Sequence, residues 1–233
     1  MLVPLVRGIR ALAGITPEYL DHNRSIKRTP WLIEEYLRLH SSCRLHIGCQ
    51  HHPMDGWLNA DIQPADPRVA YMDATKPFPL PDASFDYVFS EHMIEHIGLE
   101  QGAHMLRESY RVLKPGGKIR IVTPDITLLQ KLLQDPEQAD HAAYIEFSMR
   151  YFRNPSVFNE VVVVNNFFRD WGHQFVYNEA TLGRLFELAG FSSISRGQVG
   201  SSGDAVLNGL ENHHMEITDR FNRMESLVME AVK

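Results

Sequence analysis

The stretch FDYVFSEHMIEHIGLEQGAHMLRESYRVLKPGGKIRIVT, Phe85–Thr123, decides the fold. It opens on a strand-like apolar run, Phe85–Ser90, and closes on another, Lys118–Thr123. A helical stretch lies between them, from Glu100 to Leu113, and Pro115-Gly116-Gly117 ends it and turns the chain into the second run. Strand, helix and strand in that order describe a parallel pair with a helical crossover.

Working outward, three more strand-like runs precede this unit: Arg44–Gly48, Trp57–Asp61 and Val69–Asp73. Two follow it, Phe191–Arg196 and Ser226–Ala231, spaced to close the sheet as a hairpin with a long connection. The expected fold is α/β: a Rossmann-like, mostly parallel seven-stranded sheet with helices on both faces. Only eight residues, Cys49 to Gly56, separate the first two strands. A full crossover needs about 10–12, so the first one is shortened and its helix is a single turn or absent.

The chain reads as one domain, 1–233, with an N-terminal helical segment, 1–42. There Thr29 reads as an N-cap and Pro30 as the first helical residue, ahead of the apolar Trp31, Ile33, Tyr36, Leu37 and Leu39. Residues 126–153 read as one or two helices, and 137–177 as a cap or lid. Its apolar stretch 155–168 also fits a dimer contact or an extra strand. Asn178 caps a helix that reaches Ala189 and ends at Gly190.

Of the 233 residues 44% are hydrophobic, enough for a real core, and the formal net charge is −6. That balance argues against a protein that lives on nucleic-acid phosphates. The longest aliphatic run, Val161–Val164, is far short of the roughly 20 residues of a membrane helix. Arg7 and Arg10 interrupt the apolar start, where a secretory signal would stay uncharged. Two cysteines, Cys43 and Cys49, form no disulfide framework, so a cytoplasmic home is the expectation.

In an open parallel sheet, ligands bind beyond the C-terminal strand ends. Here those ends carry a glycine bend (Gly48-Cys49-Gln50), one acid (Asp61), a second acid (Asp73) and a polar cluster (Ser90-Glu91-His92). The pattern suits an adenosine-containing ligand. The glycine lets backbone come close, the first acid accepts from ribose hydroxyls, and the second reaches an adenine amino group.

These words, LHIGCQ, GWLNADI, MDATKPFPLPDASFDYVFSEHMIEHI, ESYRVLKPGGKIRIVTPD and HQFVYNEATLGRLFELAGF, resemble the class I S-adenosylmethionine-dependent methyltransferases. The likeness is greatest to compact bacterial members associated with polysaccharide genes, and it covers residues 44–127 and 173–191. It implies that Gly48, Cys49 and Gln50 line the methionine part of S-adenosyl-L-methionine and that Asp61 holds the ribose. Ile62 would pack near the adenine, Asp73 and Ala74 would meet its edge, and Ser90 and Glu91 would lie under the sulfonium. Gln50 stands where the family usually has a second glycine. If the position needs a positive φ, a side chain there costs about 1 kcal/mol. With the first helix shortened, the methionine end is the less secure half of the site.

His92-Met93-Ile94-Glu95-His96 places two imidazoles and a carboxylate at spacings that share one helix face. The string matches the H-x-x-E-H word of some zinc peptidases, but it follows a sheet strand in a methyltransferase-like frame. Small-RNA 2′-O-methyltransferases and ubiquinone-pathway O-methyltransferases resemble it more closely, with E-x-x-E-H and a divalent ion. The resemblance implies His92, Glu95, His96 and His173 as a metal set, against a plain buttressing role. For proton removal His92 is the first choice, with His173 and Asp125 in reserve. His213 and His214 receive no role.

The expectation is a methyltransferase acting on an oxygen of a small-molecule acceptor, a saccharide by family analogy. The alternatives are a metal-assisted RNA 2′-O-methyltransferase and a non-catalytic S-adenosylmethionine-binding module. The absence of G-x-G-x-x-G speaks against a nicotinamide enzyme.

Overall fold

The computed structural model describes residues 17–151, 156–213 and 217–233, with side chains for 22–150, 156–213 and 217–233. The expected helical start therefore lies partly outside the described residues. Helix α1 spans Pro17–Leu39, β1 Arg44–Ile47, β2 Leu58–Asp61 and β3 Ala70–Tyr71. Strand β4 is Phe85–Glu91, α2 is Leu99–Val112 and β5 is Leu113–Pro124. Then come α3 (Ile126–Gln134), α4 (Ala139–Ser148), α5 (Glu160–Arg169) and α6 (Glu179–Ala189). Strand β6 (Ser192–Arg196), α7 (Asp219–Glu225) and β7 (Ser226–Val232) complete the order.

The seven strands lie in the order β3-β2-β1-β4-β5-β7-β6. Strands β1 to β5 are parallel, and β7 is antiparallel to both its neighbours. This is the Rossmann-like, mostly parallel seven-stranded sheet that the sequence led us to expect. No helix follows β1; residues 48–57 form turns and bends, a ten-residue link at the short limit of a helical crossover.

Alternation along the strands divides the core in two. Leu45, Val88, Ile119 and Met229 join Ile33, Leu106 and Phe186 of α1, α2 and α6 in one cluster. Phe89, Val122 and Val228 meet Trp57, Val199 and Leu207 in another. On this second face the segment after β6 lies over the sheet. A cross-strand row crosses the same face: Asn59, His46, Phe89, Arg120 and Glu230 are successive register partners. A third cluster, Leu128, Leu132, Tyr144, Val163, Phe167 and Phe221, binds α3, α4, α5 and α7 together.

Two local expectations are corrected. Thr29 and Pro30 lie inside α1 rather than at its start. Pro30 costs the helix one backbone bond, and the adjacent Thr29 hydroxyl adds contacts of its own. It donates to Ser25 O at 2.9 Å and accepts the N–H of Tyr71 at 2.7 Å, tying α1 to β3. The apolar stretch after Pro155 is not a strand. Asn159 caps α5 by accepting the N–H of Val162, and Val163 and Phe167 point into the third cluster.

Candidate active site

The strand order reverses between β1 and β4, where a doubly wound sheet opens a crevice. A cavity of about 360 Å³ lies there. Gly48, Cys49 and Gln50 line it from the end of β1, and Glu91 and His92 from the end of β4. Tyr144, Phe147, Phe167 and Trp171 supply aromatic wall from α4, α5 and the segment beyond, and Asn212, His213 and Glu225 enter from the second face.

The glycine loop is held in a strained but pinned shape. Gly48 has φ +73°, and a Cβ there would come within 2.3 Å of Met93 Cγ, so only glycine fits. Gln50 has φ 44°, a left-handed value that costs a side-chain-bearing residue about 1 kcal/mol. Its N–H donates to Asp61 Oδ2 at 2.9 Å, and the Gln63 N–H donates to Asp61 Oδ1 at 2.7 Å. Burial, then the nearby Asp61 carboxylate, pushes the Cys49 thiol up to about 12, so it stays a thiol.

The adenosine half differs from expectation. Asp61 is buried, and neither Asp61 nor Asp73 lines the cavity. The Asp73 carboxylate accepts from the N–H and hydroxyl of Thr75, an aspartate turn at a strand end. Ile62 is half exposed and Ala74 packs in the first cluster, both away from the cavity lining. Ser90 is buried, does not line the cavity, and its hydroxyl has no hydrogen-bond partner. Of the residues assigned to the cofactor, Gly48, Cys49, Gln50 and Glu91 come together. The residues expected at the methionine end line the cavity, whereas those expected at the adenosine end do not.

The histidine cluster is not a helix face. His92 has φ 45° and stands before a single 3-10 turn, Ile94–His96. Glu95 is completely buried and lies 3.3 Å from His92 Nδ1 and 3.9 Å from His96 Nε2. Its Oε2 accepts from the Thr123 hydroxyl at 3.0 Å. Burial opposes charge on both members of the His92–Glu95 pair. Their mutual attraction outweighs it, raising His92 and lowering Glu95 from their ordinary values. His92 Nε2 sits 3.3 Å from Ser226 Oγ, which itself donates to Asn222.

The four expected ligands divide. Glu95, His96 and His173 place one ligand atom each within 4.8 Å of one another, whereas His92 groups with His213 and Glu225. Backbone bonds from Gln174 and Phe175 to Glu95 O set the His173 segment against the turn. Burial lowers the His173 pKa. Asp125 is corrected outright. It caps α3 through Thr127 N at 2.9 Å and pairs with Arg196 at 3.0 Å, so it is not a reserve base.

Sequence reasoning missed His213 and Glu225. His213 Nε2 lies 3.2 Å from Glu225 Oε1, and its ring stacks on His92 at 3.8 Å. Glu91 accepts the backbone N–H groups of Asn212 and His213, so it anchors this loop. No spacing motif links residues 91, 213 and 225; only the long β6–β7 connection hinted that the chain returns here.

Residues 38–121 match the family model described as a methyltransferase domain. A solved S-adenosylmethionine-dependent methyltransferase from Archaeoglobus fulgidus is 18% identical, with a TM-score of 0.50 over 93% of this chain and 94% of that one. One from Mesorhizobium loti is 15% identical, with a TM-score of 0.48 over 88% and 97%. A third, from Thermotoga maritima and described as a possible histamine N-methyltransferase, is 16% identical, with a TM-score of 0.46 over the full length of both chains. The Archaeoglobus fulgidus likeness speaks for the fold alone. The matched domain carries β1 to β4 with their glycine loop and most of β5, and the sheet completes it. By that match, residues 38–121 are similar to a methyltransferase domain.

Proposed function

We propose that the chain transfers the methyl group of S-adenosylmethionine to a hydroxyl of a saccharide-containing small molecule. The cavity at the sheet's reversal point carries the reading. Its floor is imidazole and carboxylate, and its wall is Tyr144, Phe147, Phe167 and Trp171. Flat aromatic faces accept the C–H face of a sugar ring while the polar floor meets its hydroxyls.

The residues present fit the cofactor at its methionine end. The Gly48–Gln50 backbone and Glu91 would hold it there, and Asp61 keeps lone pairs beyond its two backbone bonds for ribose hydroxyls. The bound cofactor supplies an electrophilic methyl on a sulfonium. This chain's own part is orientation and exclusion of water, with the acceptor oxygen held about 3 Å from that carbon. The side chains of Tyr144, Phe147, Phe167 and Trp171 provide the exclusion.

The test is radiolabel transfer from methyl-labelled S-adenosylmethionine to a panel of methyl glycosides and nucleotide sugars, with S-adenosylhomocysteine binding measured by calorimetry. Label on a glycoside hydroxyl supports the reading. Binding with label passing only to amines or RNA overturns it.

One observation favours a second component, a divalent ion on Glu95, His96 and His173. Among the described residues His173 Nδ1 is buried without a hydrogen-bond partner, and the buried Glu95 Oε1 faces His92 Nδ1 at 3.3 Å and His96 Nε2 at 3.9 Å, ion-pair contacts in a place where an ion could also sit. Three protein ligands beside an open cavity are the arrangement that leaves positions for acceptor oxygens. Cobalt(II) added to chelator-treated protein should give a visible absorption band that Glu95→Gln abolishes. No band in the wild type refutes the ion.

A further inference from the structure

We infer that His213, oriented by Glu225, takes the proton from the acceptor hydroxyl; this rests on the methyl-transfer reading above. The geometry singles it out among the imidazoles and carboxylates of the cavity. His92 already meets Glu95 at Nδ1 and Ser226 Oγ at Nε2, so neither nitrogen is left for a substrate. Asp125 caps α3 and pairs with Arg196. His173 belongs with Glu95 and His96. His213 lines the cavity and commits only Nε2, to Glu225 Oε1 at 3.2 Å. A carboxylate acceptor fixes the proton on Nε2 and leaves the lone pair on Nδ1. Nδ1 makes no hydrogen bond among the described residues.

The dyad is built rather than incidental. Tyr144, completely buried at the roof, donates its hydroxyl to Glu225 Oε2. Glu91 grips the backbone N–H of His213 itself, and the ring rests on His92 with an interplanar angle of 28°. Two residues upstream, Glu211 is buried against Arg120 and accepts the N–H of Gly200 at 3.0 Å. Elements from both halves of the chain thus converge to hold one imidazole at the cavity.

In the step, the acceptor O–H bond breaks and its proton passes to His213 Nδ1. The oxygen's electron pair forms the new O–C bond, and the C–S bonding pair stays on sulfur. The imidazolium so formed is stabilised by Glu225 and returns its proton to solvent.

The experiment uses the full chain. Nitrogen-15 histidine NMR on the wild type reads the tautomer, and label transfer to the glycoside panel reads turnover. We expect His213 with its proton on Nε2. His213→Gln should lose about 100-fold or more in kcat while S-adenosylhomocysteine affinity stays within about threefold. Glu225→Gln should move the acid limb of the kcat profile to lower pH. The groups facing His213 are Glu225 from α7, Glu91 from β4 and His92 from the following loop, with Tyr144 acting through Glu225. A purely structural Glu225 would leave that limb unmoved. A proton on Nδ1, or a His213→Gln variant with wild-type kcat, overturns the inference. A wild type that binds S-adenosylhomocysteine but labels no glycoside overturns the function reading instead, and the two failures are told apart.

Discussion

Arg120 is wholly buried in the middle of the sheet, and its removal tests how the second face is held. It ion-pairs with Glu211, whose side chain is 1% exposed, and with Glu230, 22% exposed, and it donates to Gln198 O at 2.8 Å. Arg120→Met keeps the aliphatic volume and removes the charge. Glu230 can turn to water, but Glu211 is left buried and unpaired, a loss of about 3–5 kcal/mol. The matching change, Glu211→Leu, removes the stranded charge, so the double variant should recover most of that loss. The two should therefore couple by about 2 kcal/mol or more. Urea unfolding of the four proteins, followed by far-ultraviolet circular dichroism, measures the cycle. Because Glu211 stands two residues before His213, Arg120→Met should also lower turnover more than it lowers S-adenosylhomocysteine binding. Additive single losses, or a single loss below about 1 kcal/mol, would refute the ion pair as the fastener of this face.

His46 is buried and neutral, its pKa depressed to about 4 by desolvation despite an Asn59 contact. Its contribution is complete above an ordinary histidine pKa and is lost as pH falls toward 4, about 3 kcal/mol in all. Unfolding free energies measured from pH 7 to 4 should show that loss in the wild type and a shallower one in His46→Gln; parallel curves would exclude it. Asp61→Ala strips the Gln50 and Gln63 amides of their acceptor and should weaken S-adenosylhomocysteine by about 1–3 kcal/mol in calorimetry. Lost stability with unchanged affinity would make Asp61 a turn residue only. Gln50→Gly trades left-handed strain against chain entropy and should leave stability nearly unchanged. Gln50→Val should cost about 1 kcal/mol or more, read from the urea midpoint, because a β-branched residue tolerates positive φ poorly.

The sheet was legible because its signals are local. Val88, Ile119 and Ile121 fall on apolar positions of strand-length runs; α2 ends at Val112, just before the Pro-Gly-Gly word, and Gly116, with φ 78°, lies in the strand that follows. The short link between the first two strands, eight residues between the runs read from the sequence and ten between β1 and β2, foretold the missing helix by length alone. Pro30 misled because proline marks helix starts far more often than interiors, and the Tyr71 contact that ties this part of α1 to β3 is distant in sequence. Asp61 and Asp73 stand where the strand-end rule puts them, yet where a carboxylate points depends on nearby amides that no pattern encodes. His213 escaped for a similar reason: its partners Glu91 and Glu225 come from separate elements. Arg120, in KIRIVT, received no role from the sequence. It is buried because a loop, rather than water, covers its face of the sheet.

Strand β7 lies between β5 and β6, although it is made after both. During synthesis β6 has no neighbour to join, and the long β5 keeps an open, adhesive edge until β7 slides in. Glu225 ends the helix leading straight into β7, so it reaches the cavity only with that insertion. A nascent or partly opened molecule therefore lacks the proton-handling pair altogether, and catalytic competence becomes a report on whether assembly has finished.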